Sequence, residues 1–357
     1  MKIRYNEQVM NILAIESSCD ETAAAIVKDG REVLSNVVAS QIDIHAKYGG
    51  VVPEVAARAH VQSIIPVVKE SLSKAKINWK EIDAIAVTQG PGLVGSLIVG
   101  TETARTLSIL KNKPLIAVNH LEGHIYANWI GKNQPQFPLV ALLVSGGHTM
   151  LIEVEDHYKF KIIGQTRDDA AGEAFDKVAA LLTLHYPGGP NISKLAEKGN
   201  ENKYKFPIID LTPEPKRNAD GFLEYPEASL DFSLSGLKTA VLNVVKQSKS
   251  LSEKEKSDIS ASFQKTLVDT LVQNSTRAIE KSQPKSFILS GGVAANKELR
   301  EKLEKMRKDL NVKFYMPDIA YCTDNAVMIG AAAYYKQKEF GFTEPKNLEP
   351  DPNLKLA

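Results

Sequence analysis

The sequence predicts an α/β protein of two lobes built on one duplicated plan, and three observations carry that prediction. Two stretches share an order of elements: an apolar strand, a polar turn, a second strand, another turn and a third strand, with helical patterns after each. The later apolar runs, Ile82 to Val87, Leu115 to Val118, Ser286 to Leu289 and Val312 to Met316, are flanked by helical patterns as parallel strands are. A chain of 357 residues with 43% hydrophobic and 24% charged side chains is long enough to bury two cores.

In the first stretch, Ile12 to Ile15 leads through the polar turn Ser17 to Thr22 into Ala23 to Val27, the hairpin signal Asp29-Gly30, and Glu32 to Val38. In the second, Leu139 to Val144 leads through Ser145 to His148 into Thr149 to Val154, a turn near Asp156, and Tyr158 to Ile163. Helical patterns run over Ile259 to Ser282, Ala294 to Arg307 and Asn325 to Gln337. A three-strand meander followed by helices and further strands, occurring twice, is the layout of the actin, hexokinase and Hsp70 type (ASKHA, ribonuclease H-like lobes), with a nucleotide and metal cleft between lobes. The expected boundaries are an N-terminal extension over 1–9, an N-terminal lobe over 10–134 to which the last helix, about 325–339, returns, and a C-terminal lobe over 135–324. Residues 340–357, with Pro345, Pro350 and Pro352 among polar residues, read as a flexible tail.

No stretch approaches the roughly 18 apolar residues of a membrane span, and no signal-type N-terminus is visible, so a cytoplasmic protein without a membrane partner is expected. Cys19 and Cys322 are too far apart in sequence for a thiolate metal motif, which fits a reducing compartment. The formal net charge of +1 supplies no global attraction to nucleic acid; any such contact would use local clusters or a partner protein. The lysines between Lys246 and Lys256 read as a solvated loop.

The sharpest local signal is His120-Leu121-Glu122-Gly123-His124, directly after the strand Leu115 to Val118, where open α/β sheets place their ligands. On a helix the two histidines share a face and present two imidazole nitrogens to one metal ion; the bland alternative is a pair of surface or capping histidines. A zinc-protease H-E-x-x-H has the same histidine spacing, but here the glutamate is two residues from each histidine, which turns it away from the metal. Asp324 is the candidate third ligand. Two histidines and a carboxylate leave open positions and suit iron or zinc, although Asp324 or Thr323 could equally cap the last helix.

Ser145-Gly146-Gly147 and Ser290-Gly291-Gly292 each end an apolar strand, and glycines there let backbone N–H groups approach a phosphate or sugar. The second turn is followed by Val293 to Asn296 opening a helix. Gly90 to Ser96 also follows a strand but lacks the Gly-Lys-Ser/Thr ending of a P-loop. In the acidic turn after the first strand, Asp20 or Glu21 could orient a nucleophile or accept a proton, and Asp176, on a probable helix, could accept hydrogen bonds from a ribose or amide.

Eight segments together resemble one family: Ala14 to Thr22, Asn119 to His124, Leu143 to Thr149, Ala171 to Lys177, Tyr186 to Pro190, Phe232 to Thr239, Ser290 to Asn296 and Cys322 to Ala326 look like the signature blocks of bacterial TsaD, the tRNA N6-adenosine threonylcarbamoyltransferases once described as glycoproteases. The resemblance implies an acyltransferase that moves the threonylcarbamoyl group of L-threonylcarbamoyl-AMP to N6 of adenosine 37 in tRNAs reading ANN codons, giving t6A and AMP. It implies one divalent metal per subunit, iron expected and zinc the alternative, on His120, His124 and Asp324. It implies adenylate contacts from Leu143, Val144, Ser145, Gly146, Gly147, Asp176, Gly189 and Asn296. For that reaction Asp20, or less so Glu21, is the candidate for steering the amine's proton. Leu143 stands where an archaeal and eukaryotic branch carries a tyrosine ligand, Ser193 where many relatives have aspartate, and Leu234 where phenylalanine is usual. The implied partners are tRNA, the inactive relative TsaB as a heterodimer through the N-terminal lobe, and the ATPase TsaE, with a homodimer as the other pairing. The apolar helix near Val51 to Ser71 is the candidate interface, or else lobe core. Two alternatives are a sugar or acetate kinase, disfavoured by Ser-Cys-Asp-Glu-Thr in place of an Asp-Gly-Thr loop, and a TsaB-like scaffold, which should have lost the metal residues.

Overall fold

The computed structural model describes residues 9–217, 223–248 and 250–356, and the chain divides into two compact units, 1–134 with 317–357, and 135–316. Of the extension read over 1–9, only Val9 lies within the described residues. Among the described residues no helix is long and apolar enough to cross a membrane.

The first unit is built on strands β1 (Asn11–Glu16), β2 (Glu21–Lys28), β3 (Glu32–Ser40), β4 (Ala84–Gly90) and β5 (Leu115–Asn119), in the order β3-β2-β1-β4-β5. The β1–β2 and β2–β3 pairs are antiparallel, and β1–β4 and β4–β5 are parallel. Asp29 and Gly30 both adopt positive φ in the β2–β3 hairpin, the backbone that this dipeptide favours. Alternate residues of the strands point to opposite faces. Leu13, Ile15, Ala24 and Ile26 pack with Ile64, Val67, Val68 and Leu72 of helix α1 (Pro53–Ala75) and Ala104 of helix α2 (Val94–Lys111). Ala14 and Val27 point the other way, against Gly330 of the last helix, where an added Cβ would lie 2.6 Å from a Val27 methyl.

The second unit repeats the plan. Its strands β6 (Leu139–Val144), β7 (Thr149–Val154), β8 (Phe160–Gln165), β9 (Ser286–Ser290) and β10 (Lys313–Tyr315) run in the order β10-β9-β6-β7-β8. Read from the meander, this is the order of the first unit, again with two antiparallel pairs and then two parallel ones. Helices α4 (Ala171–Leu181), α5 (Gly188–Ala196), α6 (Ser235–Lys246), α7 (Glu253–Ser282) and α8 (Lys297–Asp309) complete the unit, with Phe175 of α4 edge-on to Phe263 of α7 at 5.3 Å. The matching strand orders establish the duplicated actin-like fold.

Three sequence expectations are corrected. The long helix α7 begins at Glu253, not Ile259: Ser252 accepts from the Glu255 N–H and the Glu255 carboxylate reaches back, so the lysines there lie partly on a capped helix. Residues 317–324 belong with the first unit, because Asp324 reaches the histidines of that unit. The tail after helix α9 (Ala326–Phe340) is packed, not loose. Leu348 is fully buried in the first unit's core, Arg105 donates to the Pro345 and Leu348 carbonyls, and the Thr343 N–H bonds the Leu115 carbonyl at 2.7 Å. A proline-rich segment cannot pair its own backbone, and here the neighbouring strand and helix supply the partners.

Candidate functional site

Helix α3 (His120–Tyr126) starts at the end of β5 because Asn119 caps it: the Asn119 side-chain oxygen Oδ1 accepts from the Leu121 N–H at 2.8 Å, and the Glu122 carboxylate accepts from the Asn119 N–H at 3.2 Å. Glu122 also pairs with Lys336 at 2.9 Å, so its carboxylate is committed to the cap and to α9, turned from the histidines as the spacing requires. Gly123, between the histidines, admits α9 at close range, since a Cβ there would lie 2.8 Å from Ile329 and 3.2 Å from Met328. Asn325 caps α9 by accepting from the Met328 N–H at 3.1 Å. Neither Asp324 nor Thr323 does so, and the Asp324 side chain is left to the histidines.

His120, His124 and Asp324 therefore meet, with one ligand atom from each lying within 4.8 Å of the others. Asp324 Oδ1 is 3.2 Å from His124 Nε2 and 3.5 Å from His120 Nε2. His124 is buried and turns Nε2 toward Asp324 Oδ1 outside good hydrogen-bond geometry, as a nitrogen sharing a cation with that carboxylate would. The donor set and this arrangement fit a divalent metal. Electrostatics runs the same way. Burial alone would raise the Asp324 pKa, but the His120 charge and the His124 contact hold it well below the usual carboxylate range. Burial lowers His120, yet Asp324 and Glu16 outweigh it and bring it to about 9, while burial keeps His124 below its ordinary value.

The turn after β1 is held from several sides. The Leu93 N–H at the start of α2 bonds the Ser18 carbonyl at 2.7 Å, and the close packing of Gly92 against that carbonyl ties the Gly90 to Ser96 loop to this turn. His60 of α1 is fully buried, with Nε2 donating to the Cys19 carbonyl at 2.9 Å and Nδ1 accepting from Thr22 at 2.7 Å. Desolvation raises the Asp20 carboxyl, and it raises Glu21 to about 7; the Asp324 charge adds to both, and the Asp20 charge adds at Glu21. Glu21 accepts from Ser40 at 2.7 Å. Burial, then Asp20 and Asp324, keep the Cys19 thiol protonated, which removes it as a thiolate nucleophile.

In the second unit the two Ser-Gly-Gly turns end adjacent parallel strands, with Ser290 opposite Leu143 in register. Gly291 has φ of 90° and a Cβ there would lie 2.3 Å from the Val144 carbonyl oxygen, so both conformation and space demand glycine. Gly172, opening α4, bonds the Ser145 carbonyl at 3.1 Å. Asp176 accepts from the Gly188 N–H at 2.7 Å and so braces the turn that carries Gly189. Gly146, Gly147 and Gly189 have open space where a side chain would be. Leu143 and Val144 are fully buried strand residues, so only the turn beyond them offers atoms to a ligand. Asn296 caps α8 through the Leu299 N–H, and its amide donates to Ser193 and Gln264, so its first duty is to order α5, α7 and α8.

Sequence reasoning missed Glu16, Thr88 and His60. Glu16 ends an apolar strand as a lone charge, and that was the available signal; Thr88 and His60 sat in apolar patterns and gave none.

A family model described as tRNA N6-adenosine threonylcarbamoyltransferase matches residues 32–331. Relatives of that name include those of Clostridium kluyveri, 50% identical over 98% of both chains, and Caldicellulosiruptor saccharolyticus, 52% identical over 92% of this chain and 93% of the relative. Among solved structures, HypF of T. kodakarensis matches with a TM-score of 0.60 at 15% identity, covering 92% of this chain and 48% of HypF. Component A of the Acidaminococcus fermentans (R)-2-hydroxyglutaryl-CoA dehydratase matches at 0.52 and 16%, covering 92% and 99%. These two share the fold alone. Half-identity across nearly the whole length, in a fold that carries the two histidines and the aspartate together, means that the chain belongs to the tRNA N6-adenosine threonylcarbamoyltransferase family.

Proposed function

We propose that this protein transfers the threonylcarbamoyl group of L-threonylcarbamoyl-AMP to N6 of adenosine 37 in tRNAs reading ANN codons, releasing AMP, and that it does so with one divalent metal, iron first and zinc second, held by His120, His124 and Asp324. The observation that carries the reading is the half-identity to threonylcarbamoyltransferases along 98% of the chain. The convergence of the three donors supports the metal part.

The reaction joins a weakly nucleophilic exocyclic amine to the carbonyl carbon of a mixed carbamic-phosphoric anhydride; the C–O bond to AMP breaks and the amine gives up a proton. A bound metal supplies Lewis-acid polarisation of a carbamoyl or phosphate oxygen. The exposed N–H groups of the Gly146-Gly147 turn and the open backbone at Gly189 steady charge on the AMP portion, with Asp176 holding the Gly188 amide in place. Asp20, or else Glu21, takes the amine's proton; raised carboxyl pKa values suit a base working near neutrality.

The partners that fit are TsaB and TsaE. Neighbouring helices α1 and α2 expose Val61, Ile65, Val94 and Ile98 while burying their other faces, an apolar surface that suits a heterodimer with TsaB. With a net charge of +1, binding of tRNA relies on local basic groups and on the partners. The test is to combine the purified protein, its partners, threonine, bicarbonate, ATP and unmodified tRNA and to look for t6A after nuclease digestion. The expected result is t6A that disappears with Asp324→Asn. A folded, metal-loaded preparation with competent partners that makes none would overturn the reading.

A further inference from the structure

Glu16, the last residue of β1, has no exposed surface, and no lysine or arginine is among its hydrogen-bonding partners. A lone carboxylate placed in the core is costly unless its oxygens are bonded and its charge is answered. The bonds are there: one oxygen accepts from the Ser18 N–H, and the other accepts from the Thr88 hydroxyl at 2.7 Å and lies 3.0 Å from His120 Nδ1. Among the described residues, the hydrogen-bonding partner of Glu16 that can carry positive charge is His120, with whatever His120 holds.

We propose that Glu16 is the positioning residue of the metal centre, fixing His120 with its proton on Nδ1 so that Nε2 is presented as a metal ligand. A carboxylate can only accept, so the contact at Nδ1 places the proton there, and the Ser18 hydroxyl, 3.1 Å from the same nitrogen, can accept as well as donate. Nε2 is then the nitrogen that faces Asp324, 3.5 Å from Oδ1 and next to His124 Nε2, and the one whose proton an entering cation replaces. Ligating histidines are commonly oriented in this way by a carboxylate on the other ring nitrogen. Charge argues likewise. With a cation bound, two neutral imidazoles and Asp324 would bring one negative charge to it, and Glu16 a second from one hydrogen bond further out, which matches a dication. Glutamine cannot replace it. With its oxygen toward Thr88 and His120 it turns an NH2 against the Ser18 N–H, and in the flipped orientation it turns that NH2 against the His120 Nδ1–H. The inference rests on the metal reading above, and its test separates the two.

The affinities of the full-length protein for Zn2+, and for Fe2+ without oxygen, are measured by competition with a chromophoric chelator, and the Co2+-loaded form is followed by visible absorption. Wild type is expected to take up one ion, with Glu16→Gln binding about 10–100-fold more weakly and showing a shifted Co2+ spectrum. Glu16→Asp keeps the charge but withdraws it by one methylene, and is expected to lie between the two. If Glu16→Gln does not fold, the aspartate variant carries the test. A variant that matches wild type within twofold, with the same Co2+ spectrum, overturns the role of Glu16. Failure of wild type itself to bind any of these ions overturns the metal reading on which that role depends.

Discussion

At the scale of single residues, the acidic turn divides its work between two neighbours whose environments differ. Asp20 is the candidate for receiving the amine's proton, and it is not one of the three clustered donors. Asp20→Ala should therefore abolish t6A formation while leaving the bound metal at the wild-type level by elemental analysis; near-normal turnover would exclude the role. Glu21 titrates at about 7 because it is desolvated, with Asp20 and Asp324 nearby adding to the effect and Ser40 opposing it. Its folded pKa lies above the unfolded value, so below about pH 4.5 both states are protonated and nothing is lost. Between that and pH 7 the unfolded chain ionises first, and stability falls as pH rises, by up to about 3 kcal/mol. Glu21→Gln should thus gain on wild type by about 1–3 kcal/mol between pH 5 and pH 8 in urea unfolding. A pH-independent difference would mean that Glu21 is ionised in the fold.

Secondary-structure elements act here through their ends. Strands β6 and β9 deliver two glycine turns side by side, and the glycines are not equivalent. Gly291 combines positive φ with the Val144 carbonyl at 2.3 Å from a would-be Cβ, so Gly291→Ala should cost about 2–4 kcal/mol in denaturant unfolding. Gly146 has nothing within 4 Å of that position and an ordinary backbone. Gly146→Ala should therefore leave stability within about 0.5 kcal/mol of wild type, yet weaken binding of an adenylate analogue measured by calorimetry, because the new methyl stands where a phosphate would approach the backbone. Unchanged adenylate affinity would remove this turn from the nucleotide site. Helices α3 and α9 show the same economy at their N-termini. Asn119 and Asn325 take the capping duties, which leaves the adjacent His120 and Asp324 to face one another.

On the scale of the whole chain, the C-terminal segment is part of the first unit's core. Leu348 has no exposed surface and packs in the cluster with Leu13, Val87 and Leu115. Leu348→Ala should lower stability by about 2–4 kcal/mol, read as a shift in the urea midpoint with an unchanged m-value. Asn119, the cap of α3, also donates to the Lys355 carbonyl at 2.9 Å. Loss of metal affinity on deleting residues 341–357 is the further expectation, since that deletion removes a support of the helix bearing both histidines; retained affinity would show that the cap at Leu121 suffices.

Much of this was legible in the sequence because it is local. Apolar runs and turn residues mark every strand of both sheets, and the repeated order of elements carries the duplication that the two strand orders show. The i, i+4 spacing put His120 and His124 on one helix face, and the misplaced glutamate between them argued against protease chemistry. What the sequence by itself determined, then, were the two sheets, the histidine pair and the glycine turns, since each depends on neighbours a few residues away. Only the tertiary structure showed that Asp324, the candidate third ligand, lies against both histidines, that Asn325 rather than Asp324 caps the last helix, that Glu16 stands behind His120, and that a proline-rich tail is core. Those outcomes turn on contacts between residues from about one hundred to more than three hundred positions apart, which no local pattern encodes.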